Sequence, residues 1–328
     1  MISLSGCGTH LDWVIKKSNR AWSGRKGLNI GMLLAALRNS GIRVDTDCGF
    51  AINVARDLKL CCFPHDASPL FLRVLPQTKG DRDLAHLQAL KELLGDHING
   101  PLRVIRGGDL VCGVFPFVQH ERVTHEAMQS PRVLAQVRDI LARLHSGGPA
   151  QHVEGHTLSP VEVASAVRGQ SDPTGFFREY FEENFLPVVE HLSPVPQHCD
   201  FTYVNLASTR GNQLVVFDWE DYGLVRYPGF DLATFLISHY HHGRCLEPLV
   251  ASPEILNDML VRDFGEDFLA ALGLTRERFA RVFPGYLAVF LTLKRNGFGV
   301  RINDRIHGLL LSILRSASWQ PVLERRGD

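Results

Sequence analysis

His198-Cys199-Asp200-Phe201-Thr202-Tyr203-Val204-Asn205 and, thirteen residues beyond the Asn, the acid of Phe217-Asp218-Trp219-Glu220 decide how this chain reads. Between them, Ser208-Thr209-Arg210-Gly211-Asn212 is rich in turn formers and Gln213-Leu214-Val215-Val216-Phe217 is β-prone. The pattern predicts a hairpin that begins just after Asn205. Its returning strand would bring Asp218 back beside Asn205. Two carboxylates and one carboxamide, at 200, 205 and 218, would then face a common point.

That set suits a metal-bound phosphate. Mg²⁺ is a hard, octahedral cation that takes carboxylate and carbonyl oxygens and keeps several waters, so one Asp and one Asn hold it without caging it. Asn205 and Asp218 are the expected ligands. Phosphoryl transfer asks little covalent work of a protein; it needs an oriented hydroxyl, a metal on the phosphates and positive charge around the transferring group. Asp200, five residues before the Asn, is the expected base, orienting the hydroxyl and accepting its proton late in the reaction. His198 is expected to brace the loop through hydrogen bonds. Cys199 has no evident base to activate a thiolate and reads as a small residue in a tight loop.

The pattern H-x-D-x-x-x-x-N with a following D-W-E resembles the catalytic and metal-binding motifs of the aminoglycoside phosphotransferase and choline kinase family, relatives of the protein kinases. Two further segments resemble that family in the same order. Ile140-Leu141-Ala142-Arg143-Leu144-His145-Ser146 is similar to its "LA-x-LH" helix end, and Tyr227-Pro228-Gly229-Phe230-Asp231-Leu232-Ala233 to the segment where an Asp opens a helix. The resemblance implies an α+β, two-lobed protein-kinase-like fold. Residues 1–118 would form a small β-rich nucleotide-binding lobe with a leading helix, and 119–328 a larger, mainly helical lobe for catalysis and the acceptor. It implies ATP as donor, Mg²⁺, and a small hydroxylated acceptor such as a sugar, an amino alcohol or an aminoglycoside-like compound. Asp231 would brace the catalytic loop and cap the start of its helix.

By the same resemblance Arg73, in Phe71-Leu72-Arg73-Val74, corresponds to the basic residue on the nucleotide phosphates, with a guanidinium in place of an ammonium. Gly49 and Asn53 stand where the family has its nucleotide-covering loop. Phe115-Pro116-Phe117-Val118 matches the connector that receives the adenine edge, where Phe115 and Phe117 either sandwich the ring or pack the core. The family's helix Glu that pairs with the basic residue is missing: Ala85-His86-Leu87-Gln88 fills its place, and Glu92 lies too near the helix end. That gap keeps a second class open, a kinase-like scaffold that binds nucleotide or a partner without turnover.

Apolar periodicity predicts helices over 27–38, 81–95, 132–145, 176–192, 232–242, 253–272, 276–295 and 304–318. Alternating and β-branched runs predict strands over 49–55, 60–63 and 70–75 and a hairpin of 102–105 with 110–115. Residues 1–26 read as polar and mixed.

Composition narrows the function further. A chain of 328 residues, 45% hydrophobic and 21% charged, is an ordinary globular protein of one large or two medium domains. Net charge is zero, divided as 15 basic and 10 acidic residues in 1–118 against 20 and 25 in 119–328. A neutral chain without a basic stripe argues against nucleic acid as a partner. Seven scattered cysteines without a CxxC pair fit a reducing cytoplasm, and His239, His241 and His242 lack zinc-site spacing. The N-terminus lacks a signal-peptide pattern and the longest apolar stretch, 282–293, is too short to cross a bilayer, so no membrane association is expected. An A-P-E activation segment does not follow Asp218, which disfavours a protein substrate.

Overall fold

The computed structural model describes residues 2–4, 39, 41, 49–54, 58–63, 68–107, 110–147, 179–242, 246–294 and 300–323. The helix expected over 27–38 lies outside them. Contacts divide the chain into two compact units, Met1–Gln119 and His120–Asp328.

The first unit is built on a six-stranded antiparallel sheet in the order β1-β2-β3-β4-β6-β5. Its strands are β1 (Ile2–Leu4), β2 (Gly49–Val54), β3 (Leu58–Phe63), β4 (Leu70–Pro76), β5 (Arg103–Gly107) and β6 (Leu110–Pro116). Period-2 alternation makes them strands: Leu60, Cys62, Leu72, Val74, Cys112 and Val114 bury on one face. β1, inside the stretch read as polar, was not expected; Ile2 and Leu4 alternate about Ser3, too short a pattern to stand out.

One helix, α1 (Gln77–Leu94), packs on β4 and β6. It begins four residues before the expected 81, because Pro76 ends the strand with a helix-compatible φ of −57° and the chain turns directly. Gly95, at φ 58°, closes it. Leu84, Leu87, Leu90 and Leu94 supply the buried stripe. Close approach requires glycine on the sheet: a Cβ on Gly113 would lie 2.5 Å from the Leu84 Cδ2 and 2.8 Å from the Phe115 ring.

The second unit opens with a small sheet, β7 (His120–Arg122), β8 (Leu206–Thr209) and β9 (Leu214–Val216), in that order. β7 is exposed at every residue, so no apolar alternation announced it. Helices make up most of the rest: α2 (His125–Met128), α3 (Pro131–Ser146), a π-helical turn Phe181–Phe185 leading into α4 (Leu186–Glu190), α5 (Phe230–His242) and α6 (Leu246–Leu249). They continue as α7 (Pro253–Asp263), α8 (Glu266–Ala271), α9 (Arg276–Lys294), α10 (Val300–Arg315) and α11 (Gln320–Leu323). The single helix expected over 253–272 is two, because Gly265 takes φ 84°, a left-handed backbone that turns the chain between them.

α9 contains Pro284, which lacks an N–H and would break the helix. Tyr180 repairs the ladder. Its hydroxyl donates to the Arg281 carbonyl at 2.6 Å and accepts the Gly285 N–H at 3.2 Å, standing between a donor and acceptor four residues apart. Tyr286, on the same helix and fully buried, donates through its hydroxyl to the Pro228 carbonyl just before α5. Around it Phe185, Phe230 and Phe279 pack with ring centroids 5.5–6.0 Å apart, rings that each contribute about 2–3 kcal/mol on burial. This core fixes the start of α5, and α5 carries Asp231.

Candidate active site

The loop from His198 to Asn205 is held from three sides. Asp231, 2% exposed in the first turn of α5, accepts the His198 N–H at 2.6 Å on Oδ2 and the Cys199 N–H at 2.9 Å on Oδ1. Burial pushes its carboxyl up to about 7, against the pull of those two N–H groups toward the ionised form, and the charge of Asp200 adds to the rise. With both oxygens given to the loop, Asp231 does not cap its helix. That expectation is corrected: Gln197 accepts the Asp231 N–H on Oε1 at 3.0 Å and satisfies the first-turn amide instead. Gln197 went unnoticed in the sequence because glutamine is a weak capping signal.

His198 is completely buried and bridges the loop to the end of β9. Nδ1 accepts the Asp200 N–H at 3.2 Å, so this nitrogen carries no proton. Nε2 therefore bears it and donates to the Phe217 carbonyl at 2.8 Å. One neutral ring thus ties the amide of Asp200 to the residue before Asp218. Its face rests 4.4 Å from Trp219, whose indole N–H donates to Val216.

Asn205 completes the arrangement. Its side-chain amide donates to the Asp200 carbonyl at 2.9 Å, and its own carbonyl accepts the Phe217 N–H at 2.9 Å. The latter bond extends the β8·β9 pairing, in which Leu206 stands opposite Val216. Hydrogen bonds thus tie Asp200 to Asn205 directly and, through His198, to Phe217, the residue before Asp218. Asp218 is exposed.

Two residues here have left-handed backbones without being glycine: Cys199 at φ 66° and Asp218 at φ 62°. Each costs on the order of 1 kcal/mol, less for Asp. The Cys199 side chain is buried, its sulfur accepting the Val225 N–H at 3.3 Å and lying 3.3 Å from the Gln197 carbonyl. It is a packing thiol with no access to solvent.

A carboxylate and a carboxamide oxygen, with the amide nitrogen of Asn205 already committed to Asp200, form a hard-oxygen pair that fits Mg²⁺. Among the described residues, no group of three or more His, Cys, Asp or Glu is placed to hold a metal. The side chains of His241 and His242 lie outside the described residues.

In the first unit, Arg73 stands on β4 opposite Gly113 and Lys59. Its guanidinium lies 3.9 Å from the Asp83 carboxylate on α1, both side chains being nearly buried, at 13% and 12% exposure. An aspartate of α1, Asp83, thus stands near Arg73, while Glu92 is the only Glu of that helix. Asp83 precedes the 85–88 stretch where the resemblance places a Glu, and the long Arg side chain spans what the shorter acid does not. Phe115 is 3% exposed and packs 5.8 Å from Phe71, a core ring. Phe117 is 38% exposed, its N–H donating to Pro69, and Val118 is half-buried beside it. Asn53 stands in β2 opposite Lys59.

The comparisons with known proteins follow this geometry. A family model described as "Phosphotransferase enzyme family" matches residues 8–280. A search of curated proteins gave no match. Among solved structures, the chain is similar to choline kinase LicA from Streptococcus pneumoniae, at 11% identity and TM-score 0.56 over 87% of this chain and 98% of that one. It is likewise similar to amicoumacin kinase hAmiN in complex with AMP-PNP, Ca²⁺ and Ami, at 12% identity and TM-score 0.54 over 88% and 94%. A third is APH(2")-IIia with GDP and kanamycin, at 14% and 0.52 over 87% and 98%. These likenesses show the fold, a small antiparallel-sheet lobe and a helical lobe of the protein-kinase-like type. With most of its length matched by the family model, the chain belongs to the phosphotransferase enzyme family.

Proposed function

We propose that this protein is a small-molecule kinase that moves the γ-phosphoryl group of ATP to a hydroxyl of a sugar, amino alcohol or related metabolite. The observation that carries the reading is the hydrogen-bonded frame in which Asn205 bonds Asp200 while His198 joins Asp200 to Phe217.

In this reading Asp200 orients the acceptor hydroxyl and takes its proton as the new bond forms. The hydroxyl oxygen attacks the γ-phosphorus and the β–γ bridging oxygen leaves with its electron pair on the nucleoside diphosphate. Asn205 and Asp218 would hold Mg²⁺, which neutralises charge on the phosphates when bound. Arg73 grips phosphate oxygens, and Asp83 keeps the guanidinium in place. Phe117 and Val118, rather than the core ring of Phe115, flank the adenine. The ion pair with Asp83 supports turnover over a scaffold without catalysis, because it offers an acidic partner where the missing helix Glu keeps the latter open.

The test is Mg²⁺-dependent ATP consumption against a panel of hydroxylated metabolites, with wild type, Asp200→Asn and Asp218→Ala in parallel. Asp200→Asn is expected to lower kcat by about 10²–10⁴ with nucleotide binding retained. Asp218→Ala is expected to abolish turnover and weaken binding of the Mg·ATP complex. Wild type that binds Mg·ATP but turns it over with none of the acceptors would favour the scaffold; robust activity in both variants would remove the site.

A further inference from the structure

We propose that Lys59 is a second phosphate-binding cation, acting beside Arg73 on the polyphosphate of the donor; this rests on the nucleotide reading above. Lys59 on β3 and Arg73 on β4 are direct partners in the antiparallel register. Side chains so paired project from the same face with Cβ atoms about 5 Å apart. Two cations in that relation repel, and such a pair on a half-buried surface is retained at a cost in stability unless an anion comes between them.

The surrounding acids do not neutralise the pair: the one beside Arg73 is shared. Asp83 is shared by Arg73 at 3.9 Å, Lys79 at 3.9 Å and Arg82 at 3.6 Å, and Asp81 is bonded to Arg106 at 2.8 Å. Arg73, Lys79, Arg82 and Arg106 thus share two carboxylates, Asp81 and Asp83, among the described residues. Among the described residues, no ion pair engages Lys59.

Space along the row is also one-sided. Next to Arg73 on β6 is Gly113, and the volume above it is filled by Leu84 and the Phe115 ring. α1 covers β4 and β6, so the side of Arg73 away from the helix is the side of Lys59. Beyond Lys59 the register reaches Asn53 on β2. An ammonium and a guanidinium side by side suit an extended polyanion, the fork engaging two oxygens of one phosphate and the point charge another phosphate.

The experiment is calorimetric titration of the full chain with Mg·ATP, Mg·GTP, inorganic tripolyphosphate, AMP and adenosine, comparing wild type with Lys59→Gln, Lys59→Arg and Arg73→Gln. Lys59→Gln is expected to weaken ATP and tripolyphosphate about tenfold or more, the scale of a lost charged hydrogen bond, to affect AMP less and to leave adenosine unchanged. Lys59→Arg is expected to recover most of the loss. A thermal melt of each variant confirms the fold. Lys59→Gln with wild-type affinity for ATP and tripolyphosphate, while Arg73→Gln loses both, overturns the proposal and leaves the kinase reading standing. An equal loss for adenosine also overturns it, since the effect would then not lie in the phosphates. Wild type that binds neither nucleotide nor tripolyphosphate overturns both readings together.

Discussion

The side-chain amide of Asn205 donates to the main-chain carbonyl of Asp200 across 2.9 Å. This bond fixes which face of the carboxamide remains for a cation: the nitrogen is used, so the oxygen is turned away from the loop. Asn205→Ala removes both the brace and the oxygen. It is expected to lower kcat by at least 10²-fold and to raise the Mg²⁺ concentration giving half-maximal rate, whereas Asn205→Asp should recover metal binding without the brace. Steady-state rates across a Mg²⁺ series measure both; equal Mg²⁺ dependence in all three proteins would exclude Asn205 as a ligand.

Asp83 is placed between Arg73, Lys79 and Arg82. Asp83→Asn keeps the shape and deletes the charge. The expected result is a rise of roughly tenfold in KM for ATP, the size of a part-buried charged contact, with Asp83→Glu intermediate. A variant at Glu92 should be neutral. The opposite ranking would restore the scaffold reading.

Burial lowers the pKa of His239 to about 4, with His125, stacked 4.8 Å away, pushing in the same direction and Asp263 opposing. The folded value lies below the unfolded one of about 6.5, so the unfolded chain binds the proton first as pH falls. Stability from this site is therefore intact above about pH 6.5 and declines from there to about pH 4, by on the order of 2–3 kcal/mol. His239→Phe, which keeps a ring against Phe235, is expected to flatten that part of a Tm-against-pH curve. An unchanged slope would assign the acid sensitivity elsewhere.

Tyr180→Phe deletes only the oxygen that carries the Arg281 carbonyl and the Gly285 N–H past Pro284. Loss of a hydroxyl that serves two buried backbone groups is expected to cost about 2–3 kcal/mol. The loss should appear as a lower denaturation midpoint at unchanged m-value. Replacing Pro284 by Ala in the same background should recover much of it, because the Gly285 amide can then re-form its own helical bond. Additive effects of the two changes would show that the hydroxyl does not repair the helix.

Long patterned segments were legible because their pattern repeats: the buried leucines of α1 and the continuous apolar run of β6 between turn formers needed no tertiary context. The hairpin between Asn205 and Asp218 was equally readable, since turn formers separate two β-prone runs. Short or exposed elements were not. β7 pairs with β8 through backbone bonds that leave no side-chain signature, and β1 has three residues. The split at Gly265 was a single glycine in an otherwise helical pattern, tolerated in many helices and decided here by its φ of 84°. Asp83 carries no local signal either: whether a carboxylate lies within reach of the Arg73 guanidinium depends on how the helix packs on the sheet, which spacing along the chain does not give.

By itself, the order of residues determined the types of group at 200, 205 and 218, the hairpin that separates the last two, and the alternation that makes the first unit a sheet, because these depend on spacing and local turn chemistry. Only the tertiary structure decided the left-handed backbones of Cys199 and Asp218, the proton on Nε2 of His198, the use of both Asp231 oxygens by the loop rather than by its own helix, and the pairing of Arg73 with Asp83. Each of those depends on which distant groups arrive next to one another. Hydrogen bonds and ion pairs extend only a few ångströms, and a chain's spacing does not fix distances that small between elements far apart in it.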